Sequence, residues 1–277
     1  MGERWRRLTA ELMTEGLGHV TRRVLSPRLR RAGLIDWIDA DQRRLQLSSD
    51  FNRRFSSVVR YGPFRGLRLG ADSWWGSSDR AAMLFGLYEL EVLASLKALP
   101  SEYTILIDLG AADGFYGVGV LTSRLFERSI CYEMSAQGRA AIAENALLNG
   151  VDDRVEIRGM AGPDFDRDLT QEVRDACVLL VDIEGAEFEL LQRRIFEAFH
   201  RSVIIVEIHD WFFEDGNEKL RRLKEASVGT HSITEFTTGS RDLSGLPELQ
   251  ELCDTDRWLI CSEGRARLMT WLRFDPA

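Results

Sequence analysis

Residues 104–117 read Thr-Ile-Leu-Ile-Asp-Leu-Gly-Ala-Ala-Asp-Gly-Phe-Tyr-Gly. The apolar run Ile105 to Ile107 has the length and residue type of a buried parallel strand. Asp108 closes it, and Gly110, Gly114 and Gly117 follow. Glycines there permit a tight turn and let a ligand approach the backbone at the strand's carboxyl end. A helical pattern comes next, so the unit is strand, glycine loop, helix. Its spacing, Asp-x-Gly-x-x-x-Gly, is not the Gly-x-Gly-x-x-Gly of dinucleotide binders, and no Gly-Lys-Ser/Thr is present. An acid at the strand end discourages a pyrophosphate and suits a cationic amine or a neutral ribose.

Downstream, strand-like and helical stretches alternate, which predicts a parallel sheet with helices on both faces. The strands are expected at 104–109, 129–133, 155–158, 177–182 and 203–208. Helices are expected at 118–126, 136–149, 170–174, 187–199 and 217–226, with Asn149-Gly150 stopping the second of them. Runs at 232–238, 257–261 and 267–274 read as further strands, the last two joined by a hairpin at Gly264. Upstream, residues 80–99 read as one amphipathic helix through Leu87, Leu90, Val92, Leu93 and Leu96, ended by Pro100.

Residues 1–45 alternate apolar and arginine residues at helical spacing, with Leu8, Leu12, Leu17, Val20 and Val24 on one face. A solvated helix packed on the main domain is favoured over a membrane-surface helix, and 36–46 shows no clear period. Residues 47–82 are rich in Phe, Tyr, Trp, Ser and Gly and suggest short strands and turns. Phe51, Phe55, Tyr61 and Phe64 are expected in a core, and Trp74 and Trp75 either there or in a lid over substrate. The division expected is 1–79 as an extension, a candidate substrate cap, and 80–277 as the main domain.

The 277 residues carry a net charge of -8, which argues against a general nucleic-acid surface. No run approaches the ~20 apolar residues of a membrane span, and the first residues lack the apolar core of a secretory leader. Cys131, Cys177, Cys253 and Cys261 have no zinc spacing, and the first two sit in apolar runs as buried thiols. A reduced, cytoplasmic protein is the expectation.

In such a sheet ligands sit beyond the carboxyl ends of the strands. Four strands end in acids: Asp108, then Glu133, then Asp182-Ile-Glu184-Gly-Ala-Glu187, then Glu207-Ile-His209-Asp210. Glu133 lies at a separation at which an acid takes ribose hydroxyls in related nucleotide folds. Gly159-Met160-Ala161, after the third strand, could flank an adenine. Each acid alone could be only a helix cap. Together they point to a site.

The first loop resembles the first motif of S-adenosylmethionine-dependent methyltransferases of the Rossmann-like class. Asp182-Ile-Glu-Gly-Ala-Glu187 with Leu190-Leu191, and Val206-Glu-Ile-His209, resemble the fourth and fifth strand ends of the FkbM-type members. The resemblance covers 104–210 and departs at Asp113, where the family usually carries Asn. It implies an α/β, Rossmann-like sheet of seven strands and an O-methyltransferase acting on a hydroxyl of a sugar or secondary metabolite. Cofactor contacts would come from Asp108, Gly110, Ala111, Asp113, Gly114, Tyr116, Glu133, Met134, Ala161 and Asp182. His209, with Asp182 and Glu184, would serve catalysis, His209 as base because imidazole titrates near neutrality, or only as a hydrogen-bonding loop residue. Asp182, Glu184, Glu207, His209 and Asp210 could hold a divalent cation, a reading not favoured over helix capping and cofactor binding. The competing readings are a catalytically silent binding or scaffold protein, a macromolecular methyltransferase, and a nicotinamide dehydrogenase.

Overall fold

The computed structural model describes residues 39–71, 75–265 and 267–277. The arginine-flanked pattern of residues 1–38 and Trp74 lie outside the described residues.

Among the described residues three helices precede the sheet: α1 (Ala40–Arg54), α2 (Arg80–Leu84) and α3 (Leu90–Lys97). Asp39 caps α1 by accepting the Gln42 N–H at 2.9 Å. The buried positions of α1 are Arg44, Leu47, Ser48 and Phe51. They keep the i, i+3, i+4, i+7 spacing of one helix face, but two of the four are polar, which is why no period showed in 36–46. The single helix expected over 80–99 is broken into α2 and α3. Gly86, at φ +63°, turns the chain there against the Tyr61 carbonyl, which an added Cβ would meet at 2.5 Å. Glu89, left-handed at φ 41°, then opens α3.

The alternating part follows: β1 (Ile105–Leu109), α4 (Phe115–Thr122), β2 (Arg128–Tyr132), α5 (Ala136–Asn149), β3 (Val155–Arg158) and α6 (Gln171–Asp175). Next come β4 (Cys177–Val181), α7 (Glu187–Leu190), α8 (Arg193–Ala198), β5 (Val203–Ile208) and α9 (Gly216–Ala226). The chain closes with β6 (His231–Thr237), α10 (Pro247–Gln250), α11 (Asp254–Cys261) and β7 (Thr270–Pro276). The strand expected at 257–261 is helical, and no hairpin forms at Gly264. Asp256 and Ile260, four apart, are the buried pair of α11 and face α1. The helix expected over 187–199 splits at the extended Gln192.

The seven strands run β3-β2-β1-β4-β5-β7-β6, with β1 to β5 parallel and β7 antiparallel to both neighbours. The sheet is the Rossmann-like, helix-covered one that the sequence implied. Period-two alternation sends Leu106, Val178, Leu180, Val203 and Ile205 to one face, under α1 to α5. Ile107, Leu179, Val181, Ile204 and Val206 go to the other, under α7 to α9. Phe51, Phe55 and Phe64 join the first of these cores rather than a separate one. Cys131 and Cys177 are buried free thiols, as expected. No helix among the described residues is long and apolar enough to cross a membrane.

Arg43 ties α1 to α11 with a fork on Asp256, Nε–Oδ1 at 2.9 Å and Nη2–Oδ2 at 2.6 Å. That fork holds the Asp256 carboxyl below its ordinary range. A lowered folded value stabilises the protein above the unfolded pKa and is lost as pH falls through the folded one. Asp256→Asn should therefore cost about 1 kcal/mol at pH 7. In urea titrations the gap from wild type should close below about pH 4.

Candidate active site

Beyond the carboxyl ends of β1 to β4 the sheet order reverses, and a cavity of about 290 Å³ opens there. Gly110 makes it possible. At φ +89° it turns the chain off β1, and an added Cβ would stand 1.8 Å from the Asp182 carbonyl oxygen. The ends of β1 and β4 therefore close on one another across a glycine. Gly117 has the same effect deeper in the fold, where a Cβ would meet Cys131 Sγ at 2.2 Å.

Asp108, Gly110, Ala111, Asp113, Tyr116, Glu133, Met134, Ala161, Asp182 and Glu184 all line this cavity. Gly114 does not. It opens α4 in a left-handed conformation and packs toward Ile142. Six acids face the cavity, Glu89, Asp108, Asp113, Glu133, Asp182 and Glu184, and among its described lining residues there is no lysine or arginine. Such a wall attracts cations and repels polyanions. Burial, then the neighbouring Asp182, pushes the Asp108 carboxyl up to about 8. Apolar side chains frame the mouth: Trp75, Met134 and Met160 are all exposed there. Trp75 thus stands at the cavity rather than in the core.

Glu133 is fixed by its backbone partners. Its carboxylate accepts the Ala112 N–H at 2.9 Å and the Ser135 N–H at 2.7 Å. Glu133→Gln turns an acceptor into a donor against those amides. It should weaken nucleoside binding by about 10- to 100-fold, as measured by calorimetry, at 1.5–3 kcal/mol for a charged hydrogen bond.

Two residues, Glu89 on the cavity wall and Arg265 bound to it, carry no motif and were not expected. Glu89 is 3% exposed and accepts the Tyr116 hydroxyl at 2.5 Å. Burial raises its carboxyl to about 7, against the pull of Arg265. Arg265 donates to Glu89 and Glu207 and lies 3.1 Å from Glu263. Burial works against its charge, but these acids hold its pKa above the ordinary value. Glu89 fell within an uninterrupted helical pattern and Arg265 beside a presumed hairpin, so neither gave a sequence signal. Glu89, Ala112 and Glu184, all at positive φ, surround the cavity. Non-glycine residues rarely adopt that conformation, and it concentrates at functional sites.

His209 sits behind the wall, 2% exposed and outside the cavity lining. Its Nδ1 is 3.2 Å from Glu187 Oε1, which also accepts the His209 backbone N–H at 2.9 Å. Its Nε2 faces Glu184 at 3.5 Å, Glu207 at 3.6 Å and Asp182 at 3.7 Å. The structure thus gathers His209, Asp182 and Glu184, and it adds Glu187 and Glu207. Register explains the meeting. Val181 pairs with Val206, so Asp182 and Glu207 follow side by side on one sheet face.

Residues 128–235 match the model of the methyltransferase FkbM domain. They run from β2 to β6 and include the ends of β2 to β5. Among solved structures, a precorrin-6Y C5,15-methyltransferase from Geobacter metallireducens GS-15 has 13% identity and a TM-score of 0.44, over 67% of this chain and 86% of that one. The TYW2 protein of M. jannaschii, in complex with S-adenosylmethionine, has 12% identity and a TM-score of 0.41, over 68% and 76%. The tRNA (m1A22) methyltransferase TrmK of B. subtilis has 11% identity and a TM-score of 0.41, over 66% and 64%. No curated protein matches the chain.

Proposed function

We propose that this protein transfers a methyl group from S-adenosylmethionine to a hydroxyl of a small molecule, such as a sugar or secondary metabolite. One observation carries the reading: the Asp108–Gly114 loop, Glu133 and the Asp182–Glu184 turn converge on a single cavity walled by acids. The acid wall suits a sulfonium cation with an ammonium group, and Glu133 would take the ribose hydroxyls. The same wall disfavours a nucleic-acid acceptor, whose phosphates it would repel. Residues 80–277 would form the catalytic domain, and 1–79 would complete the acceptor side, with Trp75 at its mouth.

Methyl transfer is an in-line displacement. The acceptor oxygen forms a bond to the methyl carbon as the carbon–sulfur bond breaks, and the electron pair returns to sulfur. Holding the two partners in line supplies much of the acceleration. The hydroxyl proton must leave, and Asp182 and Glu184 are the acids at the cavity beside His209. Because His209 lies behind them, it acts on the acceptor through these carboxylates, as a positioning residue rather than as the direct base.

Thermal unfolding with S-adenosylhomocysteine and NAD side by side tests the reading. S-adenosylhomocysteine at 100 times its dissociation constant should add about 2.7 kcal/mol of stability, and NAD nothing. Stabilisation by NAD instead would replace the methyltransferase with a dehydrogenase. Methyl incorporation into tRNA but not into hydroxylated small molecules would overturn the acceptor assignment.

A further inference from the structure

The charges around His209 do not balance. Asp182, Glu184, Glu187 and Glu207 surround it, and the nearby guanidinium of Arg265 is shared among Glu207, Glu89 and Glu263. Burying several carboxylates against one shared cation is costly unless protons or another positive charge join them.

The imidazole shows where that charge would sit. Glu187 Oε1 also accepts the His209 backbone N–H, and Glu187 Oε2 accepts the Gly185 N–H at 2.8 Å. This carboxylate is thereby fixed as an acceptor, so Nδ1 carries the proton that meets it. In the neutral ring Nε2 is then the lone-pair nitrogen, on a side chain 3% exposed, facing three carboxylates. An imidazolium there would draw an oxygen to about 2.7–2.9 Å. The observed separations are 3.5, 3.6 and 3.7 Å. Ligands held at about 2.0–2.2 Å around one ion stand roughly 3.0–3.6 Å apart. Asp182 Oδ1, on the same side, is buried and has no hydrogen-bond partner. Asp182, Glu207 and His209 each offer one ligand atom within 4.8 Å of the others.

We propose that Asp182, Glu207 and His209 form a divalent-cation site, with Glu184 as a fourth ligand, the third through oxygen, on the cavity side. Glu187 orients the histidine through Nδ1, the outer-shell arrangement that metal-bound imidazoles commonly have. One nitrogen with carboxylate oxygens suits a manganese-, iron- or zinc-like ion better than calcium. Asp182 and Glu184 also line the cavity, so an ion held by them would border the acceptor space and polarise a hydroxyl placed there. This role rests on the methyltransferase reading above, but the site itself does not.

The test uses the full-length protein, stripped by a chelator and returned to chelator-free buffer. It is titrated with Mn²⁺ and followed by electron paramagnetic resonance, with S-adenosylhomocysteine binding measured on the same sample by calorimetry. One ion per chain is expected, with electron spin-echo modulation from a histidine nitrogen. His209→Gln should remove that modulation and most of the binding. Glu187→Gln, which leaves the ligands in place, should weaken binding by about 10- to 100-fold. No binding of Mn²⁺, Zn²⁺ or Mg²⁺ by protein that does bind S-adenosylhomocysteine overturns the site and leaves the methyltransferase reading intact. Mn²⁺ bound without nitrogen modulation overturns it too, a result that needs no variant to fold. Nitrogen-ligated Mn²⁺ with no nucleoside binding supports the site and removes the methyltransferase reading instead.

Discussion

Alanine at position 110 is expected to abolish nucleoside binding and to lower stability by about 2–5 kcal/mol. Two costs add. An alanine at φ +89° sits in a left-handed conformation that costs roughly 1–2 kcal/mol. Its Cβ also falls 1.8 Å from the carbonyl oxygen of Asp182, and overpacking of a fixed backbone costs about 1–3 kcal/mol more. The obstacle is backbone, so no side-chain rotation relieves it. The strand ends must move apart, which displaces Asp182 and Asp108 together. Gly159→Ala is the control, because a Cβ there meets nothing within 4 Å. It should shift stability by no more than about 0.5 kcal/mol. Urea midpoints of the two variants, with S-adenosylhomocysteine calorimetry on each, check the contrast. A Gly110→Ala protein with wild-type midpoint and affinity would contradict the packing at this loop.

Arg265→Gln is the second large effect, with an expected loss of about 3–5 kcal/mol. The guanidinium serves Glu89, Glu207 and Glu263, whose side chains are 2%, 2% and 5% exposed. Taking it away leaves buried acids without their cation, which costs more than the pair was worth. The loss should ease at low pH because Glu89, already raised to about 7 by burial, takes up a proton. The sign follows from linkage. A carboxyl with a raised folded pKa favours the folded state when protonated, and that gain disappears as pH climbs from the unfolded value near 4.5 through the folded one. The Arg265→Gln midpoint should therefore fall further behind wild type at pH 8 than at pH 5. A pH-independent deficit would mean that the arginine acts through packing alone.

Much of the architecture was legible beforehand. β3 and β5 fall at the expected residues, and β1, β2 and β4 within one residue at either end. Continuous runs such as Ile105-Leu-Ile and Cys177-Val-Leu-Leu-Val can be buried on both sides only as inner strands. α11 was misread because Trp258-Leu-Ile-Cys261 is a short apolar run, and such runs suit a strand or a helix equally until their neighbours are known. α1 was missed because its buried face carries Arg44 and Ser48, whose partners Asp79 and Ser78 lie some 30 residues away.

The order of residues alone determined which side chains stand at the strand ends, because local periodicity and glycine placement are written in neighbouring positions. It therefore set the glycine turn, the acids at the ends of β1, β2, β4 and β5, and the sheet they punctuate. Which of those acids share a space was decided only by the folded chain. The β4–β5 register sets Asp182 beside Glu207, a loop 58 positions further on brings Arg265 to both Glu207 and Glu89, and the turn of His209 behind the cavity wall gives it four acidic neighbours. Charges felt through a low-dielectric interior depend on distance in space, and separation along the chain carries no record of that distance.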